Sequence, residues 1–113
     1  MIKEKLDIIT TNNLIYTLDN FKNNHLIRQF DTPDSNDFLP NAINFINLFD
    51  IKEIKQTYSW KITNDTNNLL IINPGENMLF RDNIYIIPPN ETFEFISCIL
   101  SLEPIIIAIV KYN

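Results

Sequence analysis

The 113-residue chain contains only one glycine, one cysteine and one histidine. A single glycine cannot build the glycine-rich loop that cradles phosphate groups, so the sequence offers no such nucleotide site. One cysteine allows no internal disulfide, which is typical of a protein made in a reducing compartment. Since neither cysteine nor histidine is repeated, the spaced ligand sets of zinc sites are missing too.

Basic residues are also scarce, with nine lysines and arginines against fourteen acidic residues and a formal net charge of -5. They are scattered and form no stripe, which argues against a nucleic-acid partner. The N-terminal MIKEKLDII lacks the apolar core of a signal peptide. The most apolar run, PIIIAIV, is too short to cross a bilayer as a helix. We therefore expect no signal-directed export and no membrane insertion.

The hydrophobic share of 45% is enough to form one globular domain over residues 1–113. Catalysis is not expected. His25 would have to serve any Ser-His-Asp or Cys-His site, and Cys98 lies in an apolar segment without a turn to expose it. We expect a buried structural Cys98, a surface or hydrogen-bonded His25, no catalytic residue and no cofactor.

The polar segment DTPDSND (31–37) is the nearest approach to a metal site. Its three aspartates loosely resemble a calcium loop, but the glycine and the closing glutamate of such loops are missing. A solvated loop that leads into the next helix is the favoured alternative, and no bound metal is expected.

The first half of the chain predicts a short hairpin from residues 6–10 and 14–18, then an extended segment over 25–30. The next segment has helical periodicity, with an apolar face formed by Leu39, Ala42, Ile43, Ile46 and Phe49. We predict one short helix at residues 40–49, with Pro40 in the first turn and Asp37 as an acceptor near its start.

The second half predicts a series of strands with turns about every 8 to 12 residues. Pro74-Gly75 suits the centre of a type II turn. The predicted strands cover residues 57–63, 69–72, 83–87, 91–100 and 105–112. The expected fold is therefore mainly β, a single antiparallel, jelly-roll-like β-sandwich with one short helix.

Alternation of apolar residues on these strands predicts a core of Trp60, Ile62, Leu70, Ile72, Phe93 and Phe95. An alternative is open for the aromatic residues, because aromatic faces also stack on sugars. Tyr58, Trp60, Phe80, Phe93 and Phe95 would then line a glycan-binding cleft.

The run PIIIAIV is apolar at both odd and even positions. Either its strand is covered on both faces, or one face packs against another subunit. We favour the second alternative and expect an interface at Ile105, Ile106, Ile107, Ile109 and Val110. The partner would be a further copy of the chain or another protein.

Short motifs recur along almost the whole chain, from about residue 12 onward. They are Tyr16-Thr17, Ile27-Arg28, the DFLPNA stretch at 37–42, WKITNDT at 60–66 and PPNETF at 88–93. In this order they resemble a β-sandwich module of structural proteins in large DNA viruses and some phages. Asn41 departs from the threonine of the family pattern, and most of the family's glycines are missing.

This resemblance implies a viral structural protein, a capsid-associated decoration, cement or spike module that acts through protein–protein contacts. It implies a location in the virion after synthesis in the host cytoplasm. The expected partners are the chain itself, as a homotrimer, and other capsid proteins. The alternative function is a fibre-tip module that binds a glycan or another receptor.

Overall fold

The computed structural model describes residues 7–17, 20, 25–31, 33–48, 53–81 and 84–112. This part of the chain forms nine strands and one helix. In chain order they are β1 (Asp7–Ile9), β2 (His25–Arg28), β3 (Asp34–Phe38), α1 (Ala42–Leu48), β4 (Thr57–Asn64), β5 (Leu69–Asn73), β6 (Met78–Phe80), β7 (Tyr85–Ile87), β8 (Thr92–Leu102) and β9 (Ile105–Lys111). In these residues no helix has the length and apolar character needed to cross a membrane.

The strands form two sheets whose inner faces share one hydrophobic core. The larger sheet has six strands in the order β1-β2-β4-β8-β9-β6, and the smaller has three in the order β3-β5-β7. The pairs β4–β8, β8–β9 and β5–β7 are antiparallel. The pairs β1–β2, β2–β4, β3–β5 and β6–β9 are parallel. The prediction of a mainly β sandwich with one short helix is confirmed, although its sheets are mixed where antiparallel pairing was expected.

One of the parallel pairs, β1–β2, arises because the N-terminal segment does not form the predicted hairpin. β1 lies beside β2, and the chain then crosses to the edge of the smaller sheet. There the Tyr16 N–H donates to the Phe38 carbonyl oxygen at 2.8 Å, and the Phe38 N–H donates to that of Leu14 at 2.9 Å. The hairpin prediction was wrong, because residues 14–16 form hydrogen bonds with β3 and β1 pairs with β2 instead.

The predicted loop at 31–37 was also wrong, since its second half is β3. Ser35 and Asp37 point inward and are fully buried, whereas Asp34, Asn36 and Phe38 are exposed. The alternation is regular, but its buried residues are polar. Apolar periodicity therefore gave no sign of this strand.

The helix lies within the predicted range, and Phe49 falls outside the described residues. Asn41 caps its first turn, because its side-chain oxygen accepts the Asn44 N–H at 2.9 Å. This is the role that was predicted for Asp37. Ala42 and Phe45 face the core, whereas Ile43 is 53% exposed.

All six predicted core residues are buried. Trp60 stacks on Phe95 with ring centroids 4.5 Å apart, and its indole N–H donates to the Ser97 hydroxyl at 2.6 Å. Burial of an indole N–H would otherwise leave a donor without a partner. The inward-facing serine is thus part of the core.

Gly75 is required for close packing rather than for a left-handed turn. The turn runs from Gly75 to Met78, whose N–H donates to the Gly75 carbonyl oxygen at 3.2 Å. Asn77 has the positive φ, 62°, and Gly75 does not. A Cβ at Gly75 would lie 2.1 Å from the Pro40 carbonyl oxygen. The predicted turn was therefore shifted by two residues.

Candidate protein–protein interface

The most unusual interior feature is a cluster of polar side chains, here called the Arg28 cluster: Tyr16, Arg28, Ser35 and Asp37, all 0–1% exposed. The Arg28 guanidinium donates to both Asp37 carboxylate oxygens, at 2.5 Å from Nε and 3.0 Å from a terminal nitrogen. The Tyr16 and Ser35 hydroxyls donate to the same carboxylate at 2.6 and 2.7 Å. The two buried charges are thus paired and hydrogen-bonded.

The Arg28 cluster also holds the N-terminal segment. The guanidinium donates to the Ile9 carbonyl oxygen at 2.7 Å and to that of Thr11 at 2.5 Å. The Leu14 N–H donates to Asp37 at 3.1 Å. Burial, and then the neighbouring Asp37 carboxylate, raise the pKa of Tyr16 well above its usual value of 10.0. Because no side chain of the cluster reaches the surface, its role is to position strands.

The two residues considered for catalysis lie apart on the larger sheet. His25 is half-buried on β2, with Nε2 2.7 Å from the Thr63 hydroxyl. Cys98 is half-buried on β8, which is separated from β2 by β4. In the part of the chain that the structure describes, no three His, Cys, Asp or Glu side chains are placed to hold a metal ion.

The residues predicted for the interface divide between the two faces of β9. Ile107 and Ile109 are fully buried, and Ile105 packs against the core. Ile106 and Val110 point outward together with Ala108, because side chains of a strand alternate between its faces. Of the predicted set, only Ile106 and Val110 are placed to contact a partner.

The outward residues of β9 continue into a larger apolar surface, here called the outer patch. Across the β8–β9 ladder, Val110 pairs with Ile96 and Ala108 pairs with Cys98. On the other side of β9, Ala108 pairs with Leu79 of β6. The outer patch comprises Leu79, Ile96, Cys98, Leu100, Ile106, Ala108 and Val110. Leu79, Leu100 and Val110 are 54%, 49% and 38% exposed.

The remainder of the same outer face is more polar. On β4 the outward residues include Lys61, which lies directly opposite Glu94 of β8. Apolar side chains return at the far edge, where Ile8 of β1 pairs with Ile27 of β2. The face therefore has apolar ends and a charged pair at its centre.

The smaller sheet also presents apolar side chains to solvent. Phe38, Leu69 and Ile86 point outward from its three strands, and Ile15 lies beside Phe38. Asp34 is the charged residue among the outward side chains that the structure describes on this sheet. The sequence pattern did not predict this second surface, because it predicted a loop where β3 lies.

The aromatic residues considered for glycan stacking do not form an open platform. Trp60, Phe93 and Phe95 are buried, and Tyr58 and Phe80 are half-buried against the core. The rings of Phe93 and Phe95 pack on each other with centroids 6.2 Å apart, and the ring of Phe80 packs on Tyr85 at 4.9 Å. Comparisons with protein-family models, curated proteins and solved structures found no match for this chain.

Proposed function

We propose that this chain is a structural module that acts through protein–protein contacts rather than by catalysis. The observation that carries the proposal is the outer patch on β6, β8 and β9. Contiguous apolar patches on a protein surface commonly mark a contact with another protein. Burial of apolar area contributes about 25 cal/mol per Å² removed from water, so covering this patch favours association.

The proposed setting is a virus particle, where the chain would decorate or cement the capsid or form part of a spike after synthesis in the host cytoplasm. The support is the motif resemblance, because several of its residues anchor the fold. Arg28 and Asp37 form the buried pair. Asn64 is also buried and donates to the carbonyl oxygens of Asn68 and Ile87 at 2.7 and 2.9 Å. The partners are further copies of the chain, which the resemblance expects as a trimer, and other capsid proteins.

The contact is tested by placing charge on the outer patch. The wild-type protein should sediment as an oligomer at micromolar concentration. Leu79→Lys/Val110→Lys should sediment as a monomer, because two ammonium groups would have to be desolvated in the contact. Both side chains are exposed, so circular dichroism should show an intact fold.

The matched control is Ile43→Lys, since Ile43 is 53% exposed and lies on α1, which packs against the inner face of the larger sheet through the Phe45–Trp60 contact. It should leave the sedimentation unchanged. A wild-type monomer throughout the micromolar range would contradict self-assembly.

The setting is tested by mass spectrometry of purified particles from the virus that encodes the chain. The chain should be recovered in a fixed ratio to the capsid protein and should withstand salt washing. Recovery only from infected-cell lysate, with none in the particles, would contradict a virion component.

A further inference from the structure

The outer face of the six-stranded sheet is divided evenly by the boundary between β4 and β8. β2 and β1 lie on one side of this midline, and β9 and β6 lie on the other. Two copies can pack these faces together around a two-fold axis that lies between the sheets and runs along the midline, parallel to the strands. The axis then places β4 of one copy over β8 of its partner. The same operation sets β2 over β9 and β1 over β6.

The side chains on the two halves of this face are complementary. Lys61 and Glu94 are register partners across the midline, so the two-fold operation brings Lys61 of each copy over Glu94 of the other. Ile27 of β2 lies on the side that meets β9, with Ile106, Ala108 and Val110. The edge strand with Ile8 meets the edge strand with Leu79. Opposite charges therefore meet at the centre, with His25 of β2 beside Lys61, and apolar side chains of the two copies meet on either side.

The face is also of the size that a stable dimer needs. The six strands range from three to eleven residues, about six on average. At about 4.8 Å between strands and about 3.3 Å per residue they cover a flat area of roughly 570 Å². Projecting side chains raise the accessible area toward the roughly 800 Å² per partner of a standard interface.

The outer face of the smaller sheet is a poorer surface for a second copy. It is half as wide, with three strands in place of six. The charged residue among its described outward side chains is Asp34, a carboxylate. A chain of net charge -5 gains no complementarity by pairing that face with itself.

We propose that two copies of this chain pack through the outer faces of their six-stranded sheets, with a two-fold axis along the β4–β8 midline and Lys61 of each copy facing Glu94 of the other. This inference rests on the proposed function, because it names the partner and geometry of the same surface. A cyclic trimer contains no two-fold axis, so a trimer on this surface would contradict this arrangement in favour of the one that the resemblance expects.

The experiment reverses the two charges separately and together. Lys61→Glu places two carboxylates at each contact, and Glu94→Lys places two ammonium groups there. The dimer dissociation constant of each single variant should therefore rise about tenfold at low salt. The double variant restores opposite charges and should dimerise like the wild type. An equimolar mixture of the two single variants should form heterodimers, since each acidic face then meets a basic one.

The mixture shows whether a single variant is weakened at the contact between copies or by a change within its own fold. A misfolded Lys61→Glu chain would not regain dimerisation when Glu94→Lys is added. Glu53→Lys and Lys55→Glu change net charge by the same amounts at two exposed residues of the turn before β4. This turn lies at the other end of the β4–β8 ladder from Lys61 and Glu94. Mixing these control variants should leave the dimerisation constant at the wild-type value.

Failure of this inference differs from failure of the proposed function. If Leu79→Lys/Val110→Lys dissociates the protein but charge reversal at Lys61 and Glu94 has no effect, the two-fold arrangement is wrong and the outer patch stands. If the mixed single variants form no heterodimer, the arrangement is likewise overturned. If the wild type stays monomeric, self-assembly and the two-fold arrangement are both overturned, and contact with a different capsid protein is then the form of the proposed function that the particle analysis tests.

Discussion

Two regions of this sandwich are stabilised by different kinds of contact. The central strands β4, β8 and β9 bury an apolar and aromatic layer in which Trp60, Phe95 and Ile109 are 0–1% exposed. The N-terminal strands β2 and β3, with the segment around Tyr16, meet at the buried Arg28–Asp37 pair. One region depends on area removed from water, and the other depends on directed hydrogen bonds.

The difference shows how a small sandwich can specify the positions of its edge strands. Apolar burial is not directional, so it supplies free energy without fixing which strand lies where. A buried ion pair adds little net stability, but it is costly to leave half-made. The Arg28 cluster therefore favours the one arrangement in which β2, β3 and residues 9–16 converge.

The largest expected effect comes from Arg28→Leu. This substitution leaves the Asp37 carboxylate buried without its cation and the Ile9 and Thr11 carbonyl oxygens without that donor. We expect the free energy of unfolding to fall by about 5 kcal/mol in a urea titration. Arg28→Leu/Asp37→Leu should lose less than the sum of the two single variants. A loss below about 1 kcal/mol for Arg28→Leu would match a solvated surface pair and contradict the cluster.

A slightly smaller effect is expected for Trp60→Ala in the aromatic region. Removing the ring leaves a cavity beside Phe45 and Phe95 and takes the donor from Ser97. The free energy of unfolding should fall by about 4 kcal/mol in the same urea titration. Ser59→Ala, on the exposed side of the same strand, is the control and should stay within about 0.5 kcal/mol of the wild type. Equal stability of the two variants would place Trp60 outside the core.

Tyr16→Phe should have the smallest effect and a distinctive pH dependence. Loss of the hydroxyl that donates to Asp37 should cost about 2 kcal/mol at neutral pH. The pKa of Tyr16 is raised in the folded state, so its contribution to stability is complete below the unfolded value near 10 and is lost as pH rises further.

Urea titrations of both proteins between pH 7 and pH 11 measure that dependence. The stability difference between wild type and Tyr16→Phe should shrink above pH 10, and the other three tyrosines are common to both proteins, so they do not enter the comparison. A difference that stays constant to pH 11 would contradict a buried phenol beside a carboxylate.

The sequence predicted best where inward residues are apolar. Trp60 and Ile62 alternate with polar residues on β4, and Phe93 and Phe95 do the same on β8, so the strands and their buried faces followed from period alone. Asp37 could not be placed in this way. Its burial depends on Arg28, nine residues earlier, and no local pattern shows that the two side chains meet.

The candidate interface was predicted only in part for a related reason. An apolar run at Ile105–Lys111 does not show which alternate set faces inward, since both sets are apolar. Contacts with other elements decide it: Ile107 and Ile109 lie on the core face, where α1 contacts β9 and the Tyr85 hydroxyl donates to the Ile109 carbonyl oxygen. Val110, on the other face, is 38% exposed. The sequence did not predict Leu79 as part of the interface, because β6 has only three residues, too few to show an alternating pattern.

The parallel placement of β1 and β2 beside β4 affects the order in which the protein can fold during synthesis. Both strands leave the ribosome before β4, the strand to which β2 attaches, and β4 in turn needs β8 on its other side. A parallel pair of three- and four-residue strands is too small to persist alone in water. The first two strands of the nascent chain therefore stay without stable pairing until the later strands emerge. Folding then occurs late in synthesis, because it depends on contacts between residues that are distant in sequence.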